Sequence, residues 1–250
     1  VELYKKHQVD AICVGHRLGD EIPLQPDPLL AKKVLELPQN MLDNESLLAV
    51  LPGSRRGEIE RLLPLFLESI KKLGEEHPTL GFLIPNEMIF NEINASIDNA
   101  HFNAELSARI WVTLGYSRQV MEASDAVLLA SGTASLEAML LKKPMVVCYR
   151  FNRFTAWLAP KIVNIKNFSL PNILAGEVLI PELFQKEVTT NNIVRGVNRA
   201  LSKSEENENL KARFLEIHHH LRLDSDRAAA VAVLEKLQLL PLHEGAAQYE

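Results

Sequence analysis

Ala126-Val-Leu-Leu-Ala-Ser-Gly-Thr-Ala-Ser-Leu-Glu137 reads as a buried strand, a small-residue turn and the first turn of a helix that carries a carboxylate. Such a stretch can hold a phosphate and a sugar diol together. Gly132 lets backbone approach a ligand closely. The helix behind it offers unpaired N–H groups and the positive end of its dipole to an anion. Glu137 lies four residues after Thr133, on the same helix face, with its Cβ leaning back toward the N-terminus. Ala134, not Ser or Thr, precedes it by three, so the capping-box partner is missing and the carboxylate is left to accept from a ligand. The same residues also fit an ordinary strand–turn–helix in which Ser131 or Thr133 merely caps. The stretch is neither a P-loop nor a G-x-G-x-x-G fingerprint.

Working outward, residues 47–51 form a second buried-type strand, followed by the turn Pro52-Gly53-Ser54-Arg55. Residues 58–73 then place Ile59, Leu62, Leu63, Phe66, Ile70 and Leu73 at helical spacing. Further strands are expected near 80–84, 109–112, 125–129 and 144–148, separated by helices near 86–99, 116–123, 133–141 and 153–163. Such alternation predicts an α/β fold: a Rossmann-like parallel sheet with helices on both faces. In open sheets of this kind ligands bind beyond the carboxyl ends of the strands, where both turns, 52–55 and 131–133, fall. After residue 170 only helices are expected, near 181–187, 190–202, 206–222 and 225–239. Residues 9–15 read as a strand, and Pro23, Pro26 and Pro28 punctuate a polar stretch that reads as a linker. The opening therefore looks like the last helix and strand of one domain before a crossing into another, and the start at Val1 suggests a missing upstream part.

The chain of 250 residues is 47% hydrophobic and 24% charged, typical of a globular protein with a real core. A net charge of −5 argues against nucleic acid as the main partner. Cys13 and Cys148, each in an apolar run, read as reduced core thiols of a cytoplasmic protein. No apolar run reaches membrane-spanning length and the start carries no signal peptide. The expectation is a soluble protein, or at most one attached to a membrane surface.

Several segments together resemble lipid-A-disaccharide synthase, an inverting glycosyltransferase. They are Leu51-Pro-Gly-Ser-Arg55 with Glu58-Ile59, Ala123-Ser-Asp-Ala126, Ala130 to Glu137, and Lys143-Pro-Met-Val-Val147. Tyr149-Arg150 with Phe154-Thr and Trp157-Leu-Ala159 follows, then Ser169-Leu-Pro-Asn172 with Leu174-Ala-Gly176, and Leu183-Phe-Gln185 with Glu187. They run in the family's order across about residues 1 to 235. The resemblance implies the GT-B architecture, two Rossmann-like domains facing each other across a cleft, of which this chain looks like the C-terminal, donor-binding part. Residues 1–22 would be a remnant of the N-terminal acceptor domain and linker, 23–222 the UDP-sugar-binding domain, and 223–250 the crossing helix and tail. The rest of the N-terminal domain, with its proposed base, is absent from this sequence, so the chain alone is expected to be inactive. The implied donor is UDP-2,3-diacylglucosamine and the implied acceptor an acylated glucosamine phosphate. The setting would be cytoplasmic, with the inner-membrane surface as an optional partner. No cofactor and no metal are implied. A nucleotide-sugar-binding module without catalysis, or another GT-B enzyme such as a UDP-N-acetylglucosamine epimerase, stays as an alternative.

On the resemblance, Arg55 and Asn172 become catalytic candidates. Ser131, Gly132, Thr133, Ala134, Ser135, Glu137, Gln185 and Glu187 become donor contacts. Arg55 would neutralise charge on the departing UDP, or be a solvated helix-start cation beside Arg56. Asn172 after Pro171 would contact the donor, or be a turn residue. Glu137 would accept both ribose hydroxyls, or pair with Lys142 or Lys143. Gln185 and Glu187, on a short helix, would bind the donor or lie on the surface. His218, His219 and His220 point in different directions from a helix and read as partly exposed, not as a zinc site, and His16 reads as structural. Arg150, Arg153 and Lys161 interleave with Phe151, Phe154 and Trp157, a pattern that packs on a sheet or touches anionic lipid.

Overall fold

The computed structural model describes Tyr4 and residues 6–86, 90–150 and 167–237. Six parallel strands make one sheet: β1 (Ser46–Leu51), β2 (Leu80–Asn86), β3 (Ile110–Leu114), β4 (Ala126–Ala130), β5 (Met145–Tyr149) and β6 (Glu182–Phe184). Their order across the sheet is β3-β2-β1-β4-β5-β6. The chain winds outward from β1 to one edge, returns to β4 and winds to the other edge. The winding reverses between β1 and β4, which pair in register Leu48↔Ala126 to Leu51↔Leu129. The carboxyl ends of these two strands are therefore the switch point of the sheet.

Alternation along the strands divides the core into two layers. Leu47, Ala49, Leu51, Val127, Leu129 and Val147 face one side; Leu48, Val50, Phe82, Leu128, Val146 and Cys148 face the other. The first side is covered by α1 (Arg17–Glu21), α2 (Pro28–Val34), α7 (Ser117–Ala123), α8 (Thr133–Leu140) and α11 (Glu205–Leu221), after the short α3 (Gln39–Leu42). The second is covered by α4 (Arg56–Glu76), α5 (Phe90–Asn99), α6 (Ala104–Ser107) and α10 (Thr190–Leu201). Helix α4 buries Ile59, Leu62, Leu63, Phe66, Ile70 and Leu73, the row its spacing predicted. Each such side chain is worth about 1.5–3 kcal/mol when fully buried.

Several expectations are corrected. Residues 9–15 form no strand: Ile12 is 65% exposed, Cys13 is exposed, and the segment joins neither edge of the sheet. Cys148 is buried as expected, and desolvation pushes its thiol well up. The proline-rich stretch is not simply a linker. Asp27 caps α2 by accepting from the N–H groups of Leu29 and Leu30 at 3.0 Å, and Pro28 takes the first helical position, where no donor is needed. Residues 181–187 are not a helix. They give β6, at the sheet edge, and a 3-10 turn, Gln185–Glu187. The region after 170 opens with α9 (Leu170–Ala175), which Pro171 in its first turn had disguised as loop. The expected helix at 153–163, with Arg153, Lys161 and their aromatics, lies outside the described residues.

The last helix, α12 (Ser225–Lys236), buries only Ser225. It starts in a clasp with the first helix. The carboxylate of Asp20 accepts from Ser225 N (2.7 Å), Ser225 Oγ (2.6 Å) and Asp224 N (2.9 Å). The N–H of His16 donates to Leu221 O at 2.9 Å. Gly15, at φ +80°, is needed here, since a Cβ would stand 2.7 Å from Leu221 O.

Candidate functional site

A cleft of about 290 Å³ opens at the switch point. One wall is the β1–α4 loop with Gly53, Ser54 and Glu58; the other is the β4–α8 turn, Ser131 to Ala134, with Glu137 one turn on. Gly53 has φ +128°, and a Cβ there would meet Glu58 Cβ at 2.8 Å. Only glycine lets the loop turn that closely over the helix. Glu58 in turn accepts from Ser54 N at 3.3 Å and so holds the loop's shape.

The β4–α8 turn separates its donors into spent and available ones. Ser131 N donates to Cys148 O at 2.9 Å. Ser135 N and Oγ both reach Gly132 O, at 3.1 and 2.8 Å, and the Ser135 side chain is buried. Ser135 therefore braces the turn rather than facing a ligand. Among the described residues nothing accepts from the N–H groups of Gly132, Thr133 or Ala134, and no side chain caps α8. A Cβ at Gly132 would stand in open space, so glycine here keeps a bare backbone at the mouth of the cleft. Three unpaired amides at the positive end of a helix suit an anion such as a phosphate.

Glu137 lines the same cleft with its side chain 23% exposed. It does not pair with Lys142 or Lys143. Lys143 Nζ is spent on Ser124 O at 2.6 Å, and burial lowers its pKa to about 8. Lys142 Nζ lies against Leu140 O at 2.6 Å and His218 Nδ1 at 2.7 Å, and burial lowers it also to about 8. The cation facing Glu137 is Arg118, whose Nε lies 3.5 Å from Glu137 Oε2. Arg118 escaped sequence reasoning because its only signal, a cation in the first turn of a helix, is shared by many surface residues.

Arg55 caps the start of α4 at the rim of the cleft, outside its lining. Its side chain is 85% exposed, and its nearest acid is Glu58, at 3.9 Å. Its guanidinium is therefore open to solvent at the rim.

Asn172 is engaged inside the protein. It is fully buried; its Nδ2 donates to Ile180 O (3.0 Å) and Glu182 Oε1 (2.9 Å), and its Oδ1 accepts from the N–H groups of Leu179 (2.8 Å) and Ile180 (3.0 Å). Both ends of the amide are used inside the protein, which makes Asn172 a clamp between α9 and β6. Gln185 stands at the end of β6 at φ +51°, with its Nε2 buried and without a hydrogen-bond partner among the described residues. Its carbonyl accepts from Arg150 Nε at 3.3 Å, and Arg150 O accepts from Arg61 Nε at 3.1 Å. Glu187 is exposed and caps its own turn through Phe184 N at 3.2 Å. Neither Gln185 nor Glu187 lines the cleft.

His16 is structural as expected: its Nδ1 accepts from Leu18 N at 3.1 Å. His218, by contrast, is fully buried. Its Nε2 meets Gly19 O at 2.9 Å, which requires a proton on Nε2, so Nδ1 accepts from Lys142. Burial, and then nearby cations, hold its pKa below the ordinary value. Among the described residues no group of three or more His, Cys, Asp and Glu is placed to hold a metal.

A doubly wound parallel sheet with an anion-ready helix start and a carboxylate at its switch point is a Rossmann-like α/β domain. Solved structures agree on the fold. A UDP-GlcNAc 2-epimerase from Neisseria meningitidis bound to UDP-GlcNAc matches 83% of this chain and 48% of its own with TM-score 0.52 at 18% identity. An Anabaena protein, HepE, in complex with UDP and glucose matches 93% of this chain and 56% of its own with TM-score 0.52 at 13% identity. The chain belongs to the lipid-A-disaccharide synthetase family, which it matches over residues 1–235. It is 44% identical over 239 residues to the lipid-A-disaccharide synthase of Alteromonas mediterranea, covering 94% of this chain and 60% of that protein. It is 43% identical over 238 residues to that of Colwellia psychrerythraea, covering 94% of this chain and 58% of that protein. The chain thus spans about 60% of the length of the curated relatives it matches.

Proposed function

We propose that this chain is the donor-binding part of a glycosyltransferase of lipid A assembly. It takes UDP-2,3-diacylglucosamine and passes the sugar to the 6-hydroxyl of a diacylglucosamine 1-phosphate. The observation that carries this reading is the placement of three bare amides and the Glu137 carboxylate in one cleft, in a chain of this family. Phosphate on the amides and the ribose diol on Glu137 account for both.

In the reaction the acceptor oxygen bonds to the anomeric carbon from the face opposite UDP. The bond from that carbon to the phosphate oxygen breaks with inversion, and the hydroxyl proton passes to a base on the facing domain. Negative charge grows on the departing diphosphate. The start of α8 and the exposed guanidinium of Arg55 would offset it. Gln185, whose amide nitrogen has no partner among the described residues, would be a further donor contact beyond the cleft lining, and Asn172 would act through its hold on the α9–β6 corner. In this reading residues 1–22 are a remnant of the acceptor domain and linker, 223–250 are the crossing helix and tail, and contact with the inner-membrane surface is included. Among the described residues no helix is long and apolar enough to cross a membrane.

Calorimetry with UDP and with inorganic diphosphate tests the site. Glu137→Ala is expected to weaken UDP at least about tenfold, a loss typical of hydrogen bonds to a charged group, and to leave diphosphate nearly unchanged. Equal losses for both ligands would remove the ribose role.

A further inference from the structure

Arg118 stands between two carboxylates from opposite parts of the chain. Its Nε lies 3.5 Å from Glu137 Oε2 in the cleft, and its Nη2 lies 3.5 Å from Glu21 Oε2 at the end of α1. Both distances are long for a charge-assisted hydrogen bond, which closes to about 2.7–2.9 Å. The guanidinium is therefore suspended between its two partners. Glu21 is also paired with Arg17 at 2.7 Å, and its carboxyl is held below the usual range by Arg17 first and Arg118 second.

Helix α1 is not loose at its other contacts. Asp20 grips the start of α12 through Ser225 and Asp224, and Gly19 O receives the buried His218. A shift of α1 therefore carries both ends of the clasp, where the chain passes from residue 15 into the domain and out of it at 225.

We propose that Arg118 is a positioning residue that links occupancy of the cleft to α1 and its clasp. When a diol donates to the Glu137 carboxylate, the pull of that carboxylate on Arg118 weakens and the guanidinium closes on Glu21. Binding then tightens α1 against the sheet. The ligand-driven half of this statement rests on the proposed reading of Glu137 as the diol acceptor; the bridge itself does not.

Hydrogen exchange of residues 16–23 in the 250-residue chain tests both halves. Adding UDP to the wild type is expected to slow exchange there about threefold, as is Glu137→Gln without ligand, because exposed or half-exposed ion pairs change local opening by such factors. Arg118→Met abolishes both responses. Arg118→Lys keeps the charge but has one nitrogen for two carboxylates. It should bind UDP within about threefold of wild type yet transmit nothing to α1. Unchanged exchange in Glu137→Gln, or a UDP response that persists in Arg118→Met, overturns the inference. If either Arg118 variant fails to fold, Glu21→Gln supplies the same test, since removal of Glu21 must also silence the UDP response. A wild type that binds no UDP, in which Glu137→Gln still slows α1, would keep the bridge and sink the proposed function instead.

Discussion

Arg55 and Gly53 sit two residues apart and are constrained in opposite ways. Gly53 is pinned by a positive φ and by the wall of Glu58 beneath it. Gly53→Ala must either push that carboxylate away or bend the loop, at a cost of about 1–3 kcal/mol in stability, readable by urea unfolding. An alanine variant as stable as wild type would mean that the loop turns some other way in solution. Arg55 is held by almost nothing, and its value lies in what it can reach. In a full-length enzyme carrying this domain, Arg55→Ala is expected to lower kcat about a hundredfold or more, as for loss of a charge-stabilising donor. Arg55→Lys should recover little, because a point charge does not replace the guanidinium fork. Near-normal turnover of the lysine variant would count against a role on the leaving group.

At the scale of elements, the α9–β6 corner depends on one amide. Asn172 joins the carbonyl of Ile180, the N–H groups of Leu179 and Ile180, and the carboxylate of Glu182. Glu182 also accepts from Ser169 Oγ at 2.5 Å and from the N–H groups of Ser169 (2.9 Å) and Phe168 (3.0 Å). Asn172→Ala would leave several of these groups buried and unpaired, each costing about 1–3 kcal/mol. The expected outcome is a destabilisation of about 3 kcal/mol or more, with loss of any synthase activity following from a displaced corner. A variant that stays as stable as wild type but turns over slowly would return Asn172 to a direct catalytic role.

At the scale of the whole molecule, the buried clasp gives the fold a pH dependence. His218 donates from Nε2 and accepts at Nδ1 from the Lys142 ammonium, so a second proton would set two cationic groups against each other. Its folded pKa is lowered, chiefly by burial, while the unfolded chain takes up a proton near the ordinary histidine value of about 6.5. Below that pH the unfolded state binds more protons than the native one, so stability falls as pH is lowered from about 6.5. Unfolding free energies at pH 6.5 and 5 should show a larger drop in wild type than in His218→Gln. Equal drops would place the acid sensitivity elsewhere. Helix α12 leaves the clasp with Val233 57% exposed and, just past its end, Leu237 62% exposed, an apolar surface at the end of the described chain.

Much was legible before the structure, because it depends on local rules. Continuous apolar runs located β1 to β5, period-3.6 patterning located α4, α8, α10 and α11, and the glycine turns at 53 and 132 marked the carboxyl end of the sheet as the candidate binding face. The ordered motifs were enough to indicate the family. What local rules do not carry was decided by tertiary contact. Residues 9–15 have the composition of a strand but pair with no strand among the described residues, whereas β6, three residues long, is a strand only because β5 lies beside it. Asn172 is buried, Arg118 faces Glu137, and His218 closes on Gly19 across 199 positions of sequence. A hydrogen bond or an ion pair depends on where two side chains meet, and sequence spacing says nothing of that once the partners lie on different elements.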